Sequence, residues 1–314
     1  MRESTLRPTA YRTVGFTLTV LMSAALALDA ATFAIAGYMY GFGLFLGVPF
    51  FIGFFSVAIY GRSGPQRLWK CLLIAVATGF VLALVFLALG EEGLLCIAAA
   101  VPLALPPILL GALVAYLVVH RSRRIAPLPA AGVGLVLLLS GIAVERRVAW
   151  VVPVYEVQDH VDVAASADRV WDTIVNLGEL PPADDWLLRT GVACPQRVDL
   201  LGRGVGARRV CTLSTGEMDE RVTAWEPGRR LGWEVISTPP PLREVNPISQ
   251  PDPPHLHGFY KSLRGEFEIV PSSGNMTRVW RRTWYEHNLY PASYWRLWCD
   301  LIAQRAHLFV LQEV

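Results

Sequence analysis

Three side chains near the end of the chain combine the types and spacing that polar chemistry in an apolar setting needs. Tyr285 and His287 stand two apart in TRVWRRTWYEHN. An extended strand puts both on one face, where a phenol and an imidazole can bond a polar group or pass a proton. Arg305 lies in PASYWRLWCDLIAQRAHLFVLQEV, where Pro291 fits a first helical position and opens a helix of about six turns. At ~100° per residue, Arg305 falls within an apolar arc of Tyr294, Trp295, Trp298, Leu301, Ile302, Leu308 and Phe309. Arg296, Asp300, Gln304 and His307 share the polar face. A guanidinium inside such an arc must reach solvent, pair with an acid or hold an anionic ligand, because an unpaired buried charge is costly. The plainer reading of Arg305 is a structural pair with a sheet carboxylate. For Tyr285 and His287 it is a satisfied place in a half-buried strand. Trp280, Trp284, Trp295 and Trp298 can stack on a flat ligand or simply fill a core.

Other motifs are weaker. His255 and His257 stand two apart on a loop with no third ligand close by, so no metal is expected. GRGVG (202–206) imitates a nucleotide loop, yet no helix follows it, and it reads as a hairpin turn. No G-x-S-x-G elbow occurs, so no catalytic residue is assigned. The five cysteines form no C-x-x-C pair, although Cys194 and Cys211 could join if their strands are neighbours. No cofactor is indicated. A net charge of +2 gives no case for nucleic-acid binding.

The elements that position these residues fall into two unlike halves. The chain of 314 residues is 53% hydrophobic and 17% charged. That excess sits in residues 1–149, where five apolar runs are long enough to span a bilayer: 14–38, 42–60, 68–89, 93–119 and 126–144. The first begins like a signal peptide but continues well past the possible cleavage site, so it reads as an uncleaved span. The basic N-terminus, Arg62, Arg67 and Lys70, and Arg121, Arg123 and Arg124 fall on one side if the spans alternate, with Glu91 and Glu92 on the other. The positive-inside rule then makes the N-terminus cytoplasmic and leans the C-terminal domain outside, at a plasma (inner) membrane; Arg146 and Arg147 argue mildly the other way. Asp29 is the one clear ionisable group within a span, Gly43 and Gly47 offer a small-x-x-x-small packing face, and Pro102, Pro106 and Pro107 should kink the fourth span.

Residues 150–314 read as an α+β domain. WVVPVY (150–155) is an interfacial join, and VQDHVDVAA alternates as a strand does. Ser166 caps a helix, a turn follows, and a run of antiparallel strands leads to the long closing helix. Alternation puts Phe259, Leu263, Phe267 and Ile269 on one face of Gly258–Val270, with Tyr260, Arg264, Glu266 and Glu268 opposite. Val279, Thr283, Tyr285 and His287 share a face of Thr277–Asn288, and Trp233 shares one with Leu231. The proline-dense 238–256 is too long for an ordinary hairpin connection and suits a lid or a spacer on the membrane surface.

VDVAASADRVWDTIVNLGELPPADDW, the middle GVGARRV and RVTAWEPGRRLGWEV, and the closing PASYWRLWCDLIAQRAHLFVLQ come in an order that resembles the START / Bet v 1-like superfamily, and in particular its bacterial polyketide cyclase/dehydrase-like members, which include lipid carriers. The resemblance covers about half the chain. It implies a helix-grip fold, in which a curved antiparallel sheet wraps the C-terminal helix around an apolar cavity. The expected architecture is therefore an α-helical transmembrane bundle followed by a START-like helix-grip domain. The expected function is binding, sensing or transfer of a lipid-like small molecule taken from the adjacent membrane lipid, with Arg305, Tyr285, His287, Trp298, Trp233, Phe267 and Phe259 as candidate contacts. The alternatives are a cyclase/dehydratase-like enzyme using Tyr285, His287 and Arg305, and a membrane scaffold with a non-catalytic domain; protein partners are not legible.

Overall fold

The computed structural model describes residues 40–61, 66–121, 127–145, 147, 151–272 and 275–314. The expected first span with Asp29, the basic N-terminus, Arg62, Arg123, Arg124, Arg146 and Trp150 lie outside them. The chain forms two compact units, one running to Trp150 and taking in Asn246–Pro251, the other comprising Val151–Val245 and Asp252–Val314.

In the first unit a π-turn at Gly43–Gly47 leads into α1 (Val48–Tyr60), followed by α2 (Leu68–Leu89), α3 (Leu94–Arg121) and α4 (Pro127–Glu145). Among the described residues three helical stretches are long and apolar enough to cross a membrane: Gly43–Tyr60, Leu68–Leu89 and Leu94–Val118. The fifth expected span coincides with α4. Gly53 and Gly111 let α1 and α3 approach until a Cβ on either would strike the other helix's backbone. Gly43 and Gly47 leave room for the side chains of Ile142 and Leu138 of α4. Glu145 closes this packing, accepting bonds from Phe42 N at 2.7 Å and Gly43 N at 2.9 Å, an acid set where a helix begins and its amides lack partners. Pro102, Pro106 and Pro107 all lie inside the single helix α3. Part of the proline-dense loop belongs here too: Asn246 Nδ2 donates to the carbonyls of Leu87 at 2.9 Å and Glu92 at 3.0 Å, tying off the α2–α3 turn.

The second unit is an antiparallel sheet closed on one helix. Its strands are β1 (Val154–Val163), β2 (Gly178–Glu179), β3 (Pro195–Leu201), β4 (Arg208–Leu213), β5 (Gly216–Glu226), β6 (Arg230–Ser237), β7 (Tyr260–Pro271) and β8 (Thr277–His287). Helix α5 (Ala167–Val175) follows β1, and α6 (Ala292–Leu311) follows β8. The order across the sheet is β1-β8-β7-β6-β5-β4-β3-β2. This is the helix-grip arrangement. Ser166 caps α5, accepting from Arg169 N at 3.4 Å, and the buried Val170, Trp171 and Ile174 form its inner stripe. Pro291 serves as the N-cap of α6 rather than its first residue. GRGVG is the β3–β4 connection, and its three glycines all have left-handed φ, a conformation other residues resist.

Several expectations change here. Tyr155, expected in the join, is a residue of β1 whose ring stacks on His287. A register shift between Ser262 and Arg264 flips the alternation of β7, so Tyr260, not Phe259, shares the inner face with Phe267. The faces of α6 hold only in part: Trp295 and Phe309 are buried and Arg296 and Gln304 exposed, as the wheel has them. His307 is buried and Asp300 half-buried, while Leu297 and Leu308 are exposed.

Candidate functional site

β8 supplies the spine of the inner face. Its alternate residues Thr277, Val279, Thr283, Tyr285 and His287 are all buried, as a strand with one face against a helix requires. Three clusters lie along this face, each built from neighbouring strands and α6.

The first surrounds Tyr285. Its ring packs between Tyr155 of β1 at 5.5 Å and Tyr260 of β7 at 5.3 Å, while Tyr155 stacks on His287 at 5.1 Å. Tyr285 Oη donates to Asp300 Oδ1 of α6 at 2.6 Å, and Arg296 Nε donates to the other oxygen at 3.0 Å. Burial, then the bond to Asp300, pushes the Tyr285 phenol's pKa well above its usual range. Tyr285 is therefore a hydrogen-bond donor at any physiological pH, not a base. His287 is buried and its pKa falls for that reason. Leu289 N donates to its Nδ1 at 3.4 Å, so Nε2 carries the proton of the neutral ring, and that buried nitrogen has no partner among the described residues.

The second cluster joins β1, β8 and α6. His307 Nδ1 lies 2.8 Å from Asp159 Oδ2, and Nε2 lies 2.7 Å from Thr283 Oγ1. A carboxylate only accepts, so the neutral ring donates from Nδ1 to Asp159 and takes the Thr283 proton at Nε2. Burial holds the imidazole neutral, its pKa lowered to about 4 despite the neighbouring Asp159. Carboxylate, imidazole and hydroxyl thus stand in line.

The third cluster centres on Trp233 of β6. Its Nε1 donates to Glu220 Oε1 of β5 at 2.7 Å, and the other oxygen of Glu220 pairs with Arg209 of β4. The guanidinium of Arg209 lies 4.1 Å from the Trp233 ring centre and that of Arg281, from β8, lies 4.6 Å away. Arg281 also sits 5.0 Å from the ring of Phe267. Cys211, alongside, has its thiol pushed up to about 11 by burial, so it is not a nucleophile.

Of the residues singled out from sequence, Tyr285, His287, Trp233 and Phe267 stand on this inner face. Phe259 precedes β7, its carbonyl accepting from Asn288 N at 2.7 Å, and Trp298 is half-buried on α6. Arg305 does not join the three clusters. Its side chain is 43% exposed and bonds Asp185 at 2.9 Å, away from the residues of α6 that meet the sheet, Cys299, Asp300, Ala303 and His307. Trp280 and Trp284 lie on the outer face, against His160 at 4.5 Å and Arg264 at 4.0 Å. Cys194 and Cys211 are free thiols, and His257 bonds Asp252 at 2.6 Å. Arg281, Arg209, Glu220, Asp159, His307 and Asp300 were not foreseen as site residues. For Arg281 the signal was available, since it stands between Val279 and Thr283 in the same alternation.

An α+β helix-grip domain with a polar-lined inner face, carried by a chain with membrane-length apolar helices, defines a recognisable class. Residues 155–289 match the family described as polyketide cyclase / dehydrase and lipid transport, and that stretch is a domain of this family. Among solved structures, the domain is similar to a truncated norcoclaurine synthase from Thalictrum flavum, at 14% identity over 52% of this chain and 96% of the other, with a TM-score of 0.32. It is also similar to the Zhui aromatase/cyclase from Streptomyces sp. R1128, at 15% identity over 51% and 91% with a TM-score of 0.35. A protein from Thermobifida fusca gives 19% identity over 50% and 89% with a TM-score of 0.31. No curated protein matches the chain.

Proposed function

We propose that this protein is a membrane-anchored binder of a hydrophobic or amphipathic, lipid-like small molecule, held between the sheet and α6 of its helix-grip domain. The observation that carries the reading is the union in one chain of three membrane-length apolar helices with a domain from a family described by lipid transport and polyketide cyclisation. Tethering such a site beside the bilayer shortens the path of an apolar ligand from its source. In this reading residues 1–149 are the anchor and residues 150–314 the ligand domain. The distribution of arginines supports a cytoplasmic N-terminus and leans the ligand domain to the other side of a plasma (inner) membrane, with Arg146 and Arg147 arguing mildly the other way. Native mass spectrometry of the full chain in detergent, followed by extraction, tests this. A discrete apolar species released from the purified protein is the expected result. A protein that carries none, and takes up none from a panel of lipids and polycyclic amphiphiles, would sink it.

A second reading, proton transfer of the cyclase or dehydratase kind, is favoured by the Asp159–His307–Thr283 line. A neutral imidazole oriented by a carboxylate is the form a general base takes. This reading expects the full chain to convert its extracted ligand, and His307→Gln to bind the same ligand without converting it. Unchanged ligand after incubation with the wild type discards it.

A further inference from the structure

The inner face around Trp233 carries more positive than negative charge. Arg209 and Arg281 both lie against that ring, and Glu220 is the one acid bonded within the cluster. Both oxygens of Glu220 are engaged, one by Arg209 and one by Trp233 Nε1. We propose that Arg281, backed by Arg209 across Trp233, is an oxyanion site that holds the carboxylate or phosphate of an amphipathic ligand; this rests on the ligand-binding reading above and narrows it to acids.

The other acids near Arg281 are committed elsewhere. Asp159 is the cross-strand partner of Arg281 in the β1–β8 register, yet its carboxylate turns to His307. Glu266 of β7 bonds Arg230 and Arg282, both outer-face residues, and gives Arg281 only its main-chain oxygen at 3.5 Å. The remaining bond of Arg281 goes to the carbonyl of Arg282 at 2.9 Å. No described carboxylate lies within ion-pair distance of Arg281. A guanidinium has five N–H donors, so most of this one's capacity is unused. Burial lowers its pKa to about 10, which leaves it a cation at neutral pH. A half-buried cation without an acid is a costly arrangement unless something supplies the anion.

The backbone makes room for it. At Gly265 of β7 a Cβ would stand 2.7 Å from Arg281 Nη1 and 2.8 Å from Trp233 Cζ2. Only the missing side chain lets Arg281 reach across β7 to the tryptophan of β6. The ring holds the guanidinium plane by cation–π contact and leaves its edge to a planar or tetrahedral oxyanion. Phe267 lies fully buried beside both, its ring 5.8 Å from that of Trp233 and 5.0 Å from the Arg281 guanidinium.

The test uses the full chain in uncharged detergent micelles, with protein-free micelles subtracted. cis-Parinaric acid and its methyl ester are titrated in parallel, read by energy transfer from protein tryptophan. The expected result is a preference of about tenfold or more for the acid, of the size a charge-assisted bidentate bond supplies. Arg281→Gln should bring the acid down to the level of the ester with ester binding unchanged, and the outer-face control Arg278→Gln should keep the preference. Oleate and a lysophosphatidate, as competing displacers, then tell which oxyanion fits better. Equal affinity of the wild type for acid and ester overturns the oxyanion site and leaves the ligand-binding reading standing. This comparison is made on the wild type alone, so it holds even if a variant fails to fold. A preference that survives Arg281→Gln overturns the site as well. Binding of neither probe overturns the oxyanion site, and the wider panel of lipids and polycyclic amphiphiles then decides the ligand-binding reading.

Discussion

The two faces of one sheet treat the same residue type in opposite ways. On the outer face of β8 each arginine meets an acid: Arg278 bonds Asp162 at 2.7 Å, and Arg282 bonds Glu266 and Glu268, each at 2.7 Å. Arg230 on β6 joins Glu266 at 2.8 Å. On the inner face Arg281 has main-chain oxygens and aromatic rings, while Arg209 shares its acid with a tryptophan. Where both partners stand open to solvent, as Arg278 and Asp162 do, water and salt compensate the charge and pairing is inexpensive and weak. Inside, every charge must be met by a particular atom, and an imbalance is informative because nothing else is available to hide it. The comparison teaches that the functional signal in this sheet lies in where charge is not matched, not in how much of it there is.

The strongest way to break the comparison is to remove an acid from each face. Glu220→Ala strands Arg209 at a buried site and leaves Trp233 Nε1 without an acceptor. Truncating one partner of a buried pair typically costs about 3–5 kcal/mol, so the helix-grip unfolding transition should fall by many degrees. Near-ultraviolet circular dichroism, which reports the packing of Trp233, measures it. A melting point within a degree or two of wild type would mean that Glu220 does not compensate Arg209. Next in size is the pH response of His307. Its folded pKa is near 4 and its ordinary value is 6.5, so between those limits the unfolded form binds the extra proton. Stability is then fully present above the ordinary value and is lost as the pH falls toward the folded one, at up to about 1.4 kcal/mol per pH unit. His307→Gln should flatten the dependence of the melting temperature between those limits. A slope that persists in the variant belongs to another group.

Much of this architecture could be read from residues alone, and the failures share one cause. The alternation of β8 and the amphipathic α5 are local patterns, and both appear where the sequence placed them. The wheel for α6 misled because it ranked residues by polarity. Asp300 and His307 count as polar, yet each has its bonding filled by Tyr285, Thr283 or Asp159, and a satisfied polar group buries as readily as an apolar one. Those partners are over a hundred residues away for Asp159, a distance no periodicity spans. Phe259 was placed on the inner face because a strict period of two was carried through Ser262–Arg264, where the register shifts. Arg305 was weighed for its isolation in an apolar arc, whereas Arg281, with apolar neighbours on the face that is buried, held the stronger position.

A gentler variant sharpens the inner face without deleting a charge. Gly265→Ala sets a methyl group against Trp233 and Arg281, at 2.8 and 2.7 Å before any relaxation. Overpacking of this kind costs about 1–3 kcal/mol. Because the guanidinium is the flexible member, it should yield first. The variant is therefore expected to lose preference for an acidic ligand while keeping most of its stability. An unaltered preference would show that Arg281 holds its anion without the opening at position 265.

The smallest expected effect lies on the outer face, and its smallness is what makes it useful. Asp162→Asn breaks a two-bond contact with Arg278, at 2.7 and 2.8 Å. The bond to Arg278 holds the carboxyl of Asp162 below its usual range. As a two-point guanidinium–carboxylate contact this pair should rival Glu220 and Arg209. Both partners, however, stand open to solvent, with side chains 44% and 43% exposed. Water takes up the bonds the carboxylate gives away, and salt screens the charge that remains. Melting of Asp162→Asn should therefore match wild type at physiological ionic strength, and any loss at low salt should vanish as salt is raised. A large, salt-insensitive loss would show that geometry rather than burial sets the value of a charge pair in this sheet. The unmatched Arg281 would then stop being a signal, because matched and unmatched charges could no longer be ranked by where they stand.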